Sequence, residues 1–212
     1  MSNEAIVLII GWVMGIFSHV IVEDIKQRRT RVEVEKAIRT ELHELRMKYI
    51  LLIYLVTMRS GTFDRLLLHW LKPIVDKYTG PHSLDLTPVL TALQILNDFN
   101  DTQLREYVRI HSTPMTPLSL KKYSVPYIES KMDHLALFNE KTQGILLAIK
   151  AHVELVNQEV DASRFYFEKT FDSSLDSNNR TIVTTNYHQR CVFAADAARY
   201  TVDLINKLES QT

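Results

Sequence analysis

The sequence predicts an all-α protein in which an N-terminal transmembrane helix continues into a cytoplasmic helical bundle. Three observations predict this. Ala5 to Val22 reads AIVLIIGWVMGIFSHVIV, 18 residues without Asp, Glu, Lys or Arg. Beyond it, apolar residues recur at spacings of three and four, the repeat of one helix face. No long period-two run and no hairpin dipeptide interrupts that pattern, so a sheet is not expected. The bundle reads as four-helix-type, with short extra helices and a long C-terminal helical hairpin.

At about 1.5 Å per residue the opening stretch spans roughly 27 Å as a helix, close to the thickness of a bilayer's hydrocarbon. A cleavable signal would need positive charge before the apolar run and a small-residue cleavage site after it. The chain instead begins MSNE, and the run is followed by EDIKQRR, so residues 1–22 are read as an uncleaved anchor. Lys26, Arg28, Arg29 and Arg31 all follow the span and none precedes it. That asymmetry predicts the N-terminus outside and the rest in the cytoplasm, as in a bacterial inner membrane. The same four cations sit where they could meet anionic lipid headgroups. Within the span, Gly11, Gly15 and Ser18 line up small residues on one face, the spacing that lets two membrane helices approach closely. A homo-oligomer through this face is therefore expected beside the membrane lipid itself.

Residues 23–41 are dominated by charge and read as a helical stalk; residues 42–212 are expected to form the bundle. Tyr49 to Met58 is apolar all round, which fits a central helix of a core, since so short a run cannot span a bilayer. Gly61 should stop this helix and Thr62 should cap the next. That second helix carries Phe63, Leu66, Leu67, Trp70 and Ile74, with a kink at Pro73. Thr87 and Pro88 open a third, and Asp101 begins a short fourth that ends near His111. Residues 112–126 hold three prolines and read as a connection across the bundle. Asn139 is expected to cap the outgoing arm of the hairpin, and Thr181 to Leu208 to form the return arm. The alanines at 194, 195, 197 and 198 would let the two arms pack closely.

Composition narrows the function. Of 212 residues, 25 are Lys or Arg and 25 Asp or Glu, so the formal charge is zero. A globally basic nucleic-acid binder is excluded, and no nucleic-acid partner is expected. With five glycines and no Gly-rich phosphate loop, nucleotide cofactors are not expected. Cys191 is the single cysteine, which rules out an internal disulfide or a Cys-x-x-Cys site. No Glu-x-x-His pair exists for a di-iron centre, and no metal is expected. The chain is thus read as acting by binding, as a scaffold, adaptor or regulator with an unidentified protein partner.

Two local features offer more. Arg105 and His111, in Arg-Glu-Tyr-Val-Arg-Ile-His, resemble the loose R-x(4–6)-H motif of HEPN ribonucleases, which are themselves helical bundles. The resemblance covers seven residues and implies a membrane-tethered ribonuclease with Arg105 and His111 working on the phosphodiester. A solvated helix face is the competing reading. Phe165, Tyr166, Phe167 and Phe171 gather four aromatics at the distal end of the hairpin, either as the end of the core or as a partner patch. A third class, an effector that perturbs the membrane in a bacterial defence or toxin system, follows from the small-residue anchor. The charge balance itself is uneven along the chain: +3 over residues 23–60 and −3 over residues 123–212.

Overall fold

A computed structural model describes the backbone of residues 3–77, 87–113 and 118–210. Before Val20, only the side chains of Trp12 and Met14 are described. All regular structure among the described residues is helical: α1 (Asn3–Ser60), α2 (Arg65–Asp76), α3 (Thr87–Asp98), α4 (Asp101–His111), α5 (Pro126–Ser130), a 3-10 helix (Met132–Leu137), α6 (Glu140–Lys169) and α7 (Ser177–Glu209).

The first helix is one unbroken rod of 58 residues, roughly 87 Å at ~1.5 Å per residue. Gly61 ends it in the left-handed region (φ 76°), where a side chain would be strained. The amides of Thr62 and Phe63 both turn back to the Thr57 carbonyl. The cap of α2 is Asp64, whose carboxylate accepts the Leu67 amide at 2.8 Å. Thr62, the expected cap, instead shares a hydroxyl contact with Ser60 at 2.8 Å. The shift follows from chemistry, since a carboxylate at the helix start also meets the positive end of the helix dipole.

Three long helices carry the core, rather than four. The antiparallel pair α6 and α7 forms the expected hairpin, capped by Asn139 and Asp176, and α1 lies antiparallel along α7. Buried positions on α1 run Val34, Ile38, Leu42, Leu45, Tyr49, Ile53 and Val56, a stripe of threes and fours. Facing it, α7 offers Ala194 and Ala198, both fully buried, whose small side chains permit close helix approach. The packed part of α1 begins at Val34, not at Leu42, so the charged stalk joins the bundle halfway along its length. Val34 and Ile38 share one helix face with Leu42 and Leu45, and the core covers that face.

The Pro-containing connection is not a loose loop where it is described. Side chains hold it as a neighbouring strand would. Tyr187 Oη donates to the Leu118 carbonyl (2.9 Å) and accepts the Leu118 amide (2.5 Å). Asn157 does the same for Tyr123, accepting its amide at 3.0 Å and donating to its carbonyl at 2.7 Å. Arg164 donates to the Leu120 carbonyl at 3.1 Å. Glu41 on α1 then receives the amides of Tyr127 and Ile128, at 2.8 and 3.0 Å, capping α5 from another helix. These partners satisfy backbone groups that have no ladder of their own. On the opposite side Trp70 of α2 donates to Asp203 of α7 (2.9 Å), and the Arg199 guanidinium lies 5.1 Å over its ring.

Candidate functional site

The two ends of the bundle differ in chemistry. At the N-terminal end, α1 extends beyond the core with Trp12, Met14, Val20, Ile21, Val22 and Ile25 each 46–69% exposed. No neighbouring element covers them among the described residues. Gly11, Gly15 and Ser18 lie among the positions whose side chains fall outside the description. Among the described residues no helix is long and apolar enough to cross a membrane; the side chains of most of Ala5 to Val22 are outside the description.

Lys26, Arg28, Arg29 and Arg31 are exposed. Arg28 pairs with Asp24 one turn earlier, at 2.9 Å, a surface pair of small energetic weight. Arg31 differs from the others in that its guanidinium lies 6.0 Å over the Phe138 ring, at the edge of the bundle. Farther along, Arg46 ties α1 to the end of α7. It is buried and donates to Asn206 (3.1 Å), Glu209 (2.5 Å) and His43 Nδ1 (2.8 Å). Burial, and then the Arg46 charge, hold the His43 imidazole below its usual pKa, so the neutral ring is the one that receives this hydrogen bond.

At the distal end, the last turns of α1, the chain on either side of residues 114–117, and the first half of α7 line an open pocket of about 240 Å³. Val56, Leu118, Cys191 and Val192 form its apolar wall, and Arg59 and His188 its polar one. Next to it, a broader hollow of about 550 Å³ is lined by Arg180, Ser177, Thr181 and Thr184. Thr185 and His188 belong to both. His188 Nε2 is buried without a hydrogen-bond partner, and burial lowers the ring's pKa. Burial pushes the Tyr187 phenol up to about 12, opposed by its Leu118 hydrogen bond and by Arg59. The Cys191 thiol is buried and raised by desolvation, which leaves an inert sulfur rather than a nucleophile.

The structure does not bring Arg105 and His111 together. Both are exposed on α4, and six residues on a helix separate two side chains by about 120° around its axis. His111 folds back, stacking on Tyr107 at 3.9 Å and meeting the Tyr107 carbonyl through Nδ1 at 2.8 Å. Neither residue lines the cavities described above. The aromatic group divides. Phe165 and Phe171 are exposed, while Tyr166 and Phe167 pack on the core, with Phe167 5.8 Å from Tyr187. Among the described residues no group of three or more His, Cys, Asp or Glu is placed to hold a metal ion.

Sequence reasoning missed the distal pocket because its walls come from three segments, each more than 50 residues from the next. No local pattern announces such a site. The chain matches no protein-family model, no curated protein and no solved structure.

Proposed function

We propose that this chain is a membrane-anchored helical bundle that acts by binding, with the start of α1 in the lipid and the bundle on the cytoplasmic side. One observation carries the reading: α1 runs on as helix beyond the core and bares a sleeve of large apolar side chains ahead of Val34. In water such a surface is costly, at roughly 25 cal/mol per Å²; hydrocarbon removes the cost. The cations support it by their height. Counting about 1.5 Å per residue from Val22, Lys26 stands roughly 6 Å, and Arg28 and Arg29 roughly 9–10 Å, beyond the apolar run. Side chains of that length reach a headgroup layer on the order of 5–8 Å thick, each contributing about 1 kcal/mol with anionic lipid. Arg31, at roughly 14 Å, is better placed to hold the bundle end through Phe138. Self-association through Gly11, Gly15 and Ser18 belongs to the same reading.

Alkaline extraction tests it. The full chain should stay with the membrane pellet, and the double variant Ile10→Asp, Ile16→Asp should pass to the supernatant, because each mid-span carboxylate costs about 2.5–3.5 kcal/mol of insertion. Release of the unaltered chain by carbonate would overturn the reading.

A further inference from the structure

Past the apolar run, α1 carries a repeat that the core does not use. Gly11, Gly15, Ser18, Val22, Ile25, Arg29 and Val32 recur at intervals alternating four and three, all on one unbroken helix. A seven-residue repeat keeps one seam facing a partner helix and winds the pair left-handed. Val22, Ile25 and Val32 are exposed, and no neighbouring element covers them among the described residues. The core stripe of Val34, Ile38, Leu42 and Leu45 is centred roughly 160° around the helix from this seam, at ~100° per residue. A helix lying on the seam therefore clears the bundle. Lipid does not account for the whole of it. Val32 stands roughly 15 Å beyond Val22 along the helix, past a headgroup layer on the order of 5–8 Å thick, and is 65% exposed.

We propose that a second copy of this chain covers the seam, forming a parallel, left-handed coiled coil that leaves the bilayer and ends at Val32. The inference rests on the anchored reading and gives its self-association a register. Anchors that enter the membrane the same way hold the two helices parallel, with equivalent residues face to face. Arg28 and Glu33 then flank the seam on opposite sides, five residues apart, the spacing at which flanking charges of two parallel helices meet. Arg28 of one copy meets Glu33 of the other, twice about the two-fold axis. Both side chains are exposed. Arg28 holds Asp24 at 2.9 Å, and a guanidinium with five N–H donors can serve both carboxylates. Arg29 is the one charge on the seam up to Val32; its stem packs there while its head reaches the headgroups, and a lone cation at such a position fixes register at some cost in stability. At the next seam position Lys36 is exposed and would face Lys36 of the second copy, so like charge closes the coil where the bundles begin. Outside the lipid the seam is far smaller than the roughly 800 Å² per partner of a standard interface. Continuity with the small-residue face in the span supplies the rest, by keeping the two helices at high effective concentration. Handedness separates this arrangement from a Gly-x-x-x-Gly crossing alone. Val32 lies roughly 28 Å along the helix from the middle of Gly11 to Gly15, where a right-handed crossing near 40° would have parted the helices by roughly 20 Å more.

Disulfide cross-linking of the full chain in membrane vesicles tests it. Val22→Cys, Ile25→Cys and Val32→Cys place single thiols on the seam, and Glu23→Cys and Gln27→Cys place them off it, all at exposed positions. The unaltered chain, whose Cys191 is buried, is the blank. Under copper-phenanthroline oxidation each seam position should yield at least fivefold more dimer than either off-seam position. Arg28→Glu should lower the dimer yield of the Ile25→Cys chain at least threefold, and adding Glu33→Arg should restore it to within twofold. Four results would each overturn the proposal: yields independent of position, dimer at Val22→Cys but none at Ile25→Cys and Val32→Cys, no dimer at any position, or a charge-exchanged chain no better than Arg28→Glu alone. Alkaline extraction of the same vesicles reads the anchor by itself. A chain kept in the pellet yet not cross-linked along the seam loses this inference and keeps the anchored reading.

Discussion

Replacing Asn157 with alanine tests how the bundle holds its Pro-containing connection. The Asn157 amide accepts the Tyr123 N–H at 3.0 Å and donates to the Tyr123 carbonyl at 2.7 Å. Only a carboxamide side chain offers a donor and an acceptor in one plane to match a peptide unit. Alanine orphans both backbone groups. A buried group left unpaired costs about 1–3 kcal/mol, and both Asn157 and Tyr123 are only half-buried, so the lower end applies to each. The sum is about 2 kcal/mol. For a domain of this size that corresponds to roughly 4–8 °C in the unfolding midpoint. Asn157→Asp sharpens the test, since it keeps an acceptor for the N–H but turns an oxygen toward the carbonyl; it should recover at most part of the loss. Thermal unfolding of the full chain in detergent gives the midpoint, and amide hydrogen exchange gives the locality, with faster exchange at Tyr123. A loss under about 0.5 kcal/mol, or an Asn157→Asp chain as stable as the original, would refute the reasoning, because either would mean that water serves the connection as well as the amide does.

Other outcomes follow from the same geometry. His43 and His188 both have pKa values lowered from 6.5, first by burial. In the window below pH 6.5 the unfolded chain therefore holds protons that the folded chain does not, and stability rises with pH. Unfolding free energy should be lower at pH 5 than at pH 7, and His43→Gln should flatten part of that slope; an unchanged slope contradicts the burial of His43, with the Arg46 charge beside it, as one of its sources. Gly61→Ala forces a side chain into φ 76°, with its Cβ 3.4 Å from Ser112, and should cost about 1 kcal/mol in a denaturant titration. Gly11→Leu with Gly15→Leu should remove cross-linked dimers of the full chain in membranes without releasing it from the pellet. Arg105→Ala and His111→Ala should leave any RNA loss in expressing cells unaltered, as the two side chains point to different sides of α4.

Much of the architecture was legible because its signals are local. Gly61 ends α1 by its left-handed backbone, Asn139 caps α6 by accepting the Thr142 amide, and α4 covers the stretch from Asp101 to His111. Periodicity alone marked the α6–α7 hairpin. What stayed hidden depends on long-range partners. Glu41 reads as one more stalk charge until it is seen capping α5, 86 residues later in the chain. Val34 and Ile38 were visible as one helix face, but nothing nearby told that a core covers it. Tyr187 is one more apolar-faced residue of the return arm by sequence, whereas its hydroxyl is the clamp on Leu118. The candidate site was less legible still, since Arg59 ends α1 while His188 lies on α7, 129 residues later, and the two meet only through the fold. The HEPN-like spacing is the converse case: a local pattern whose residues the helix then turns apart.

The most direct measurement of the central claim is topology. Alkaline phosphatase and a cytoplasmic reporter, each fused after Thr212 in a bacterial host, report on which side of the membrane the bundle lies. The anchored reading, with the basic residues from Lys26 to Arg31 held inside, predicts an inactive phosphatase and an active cytoplasmic reporter, both in the membrane fraction. An active phosphatase fusion, or either fusion recovered in the soluble fraction, would contradict it.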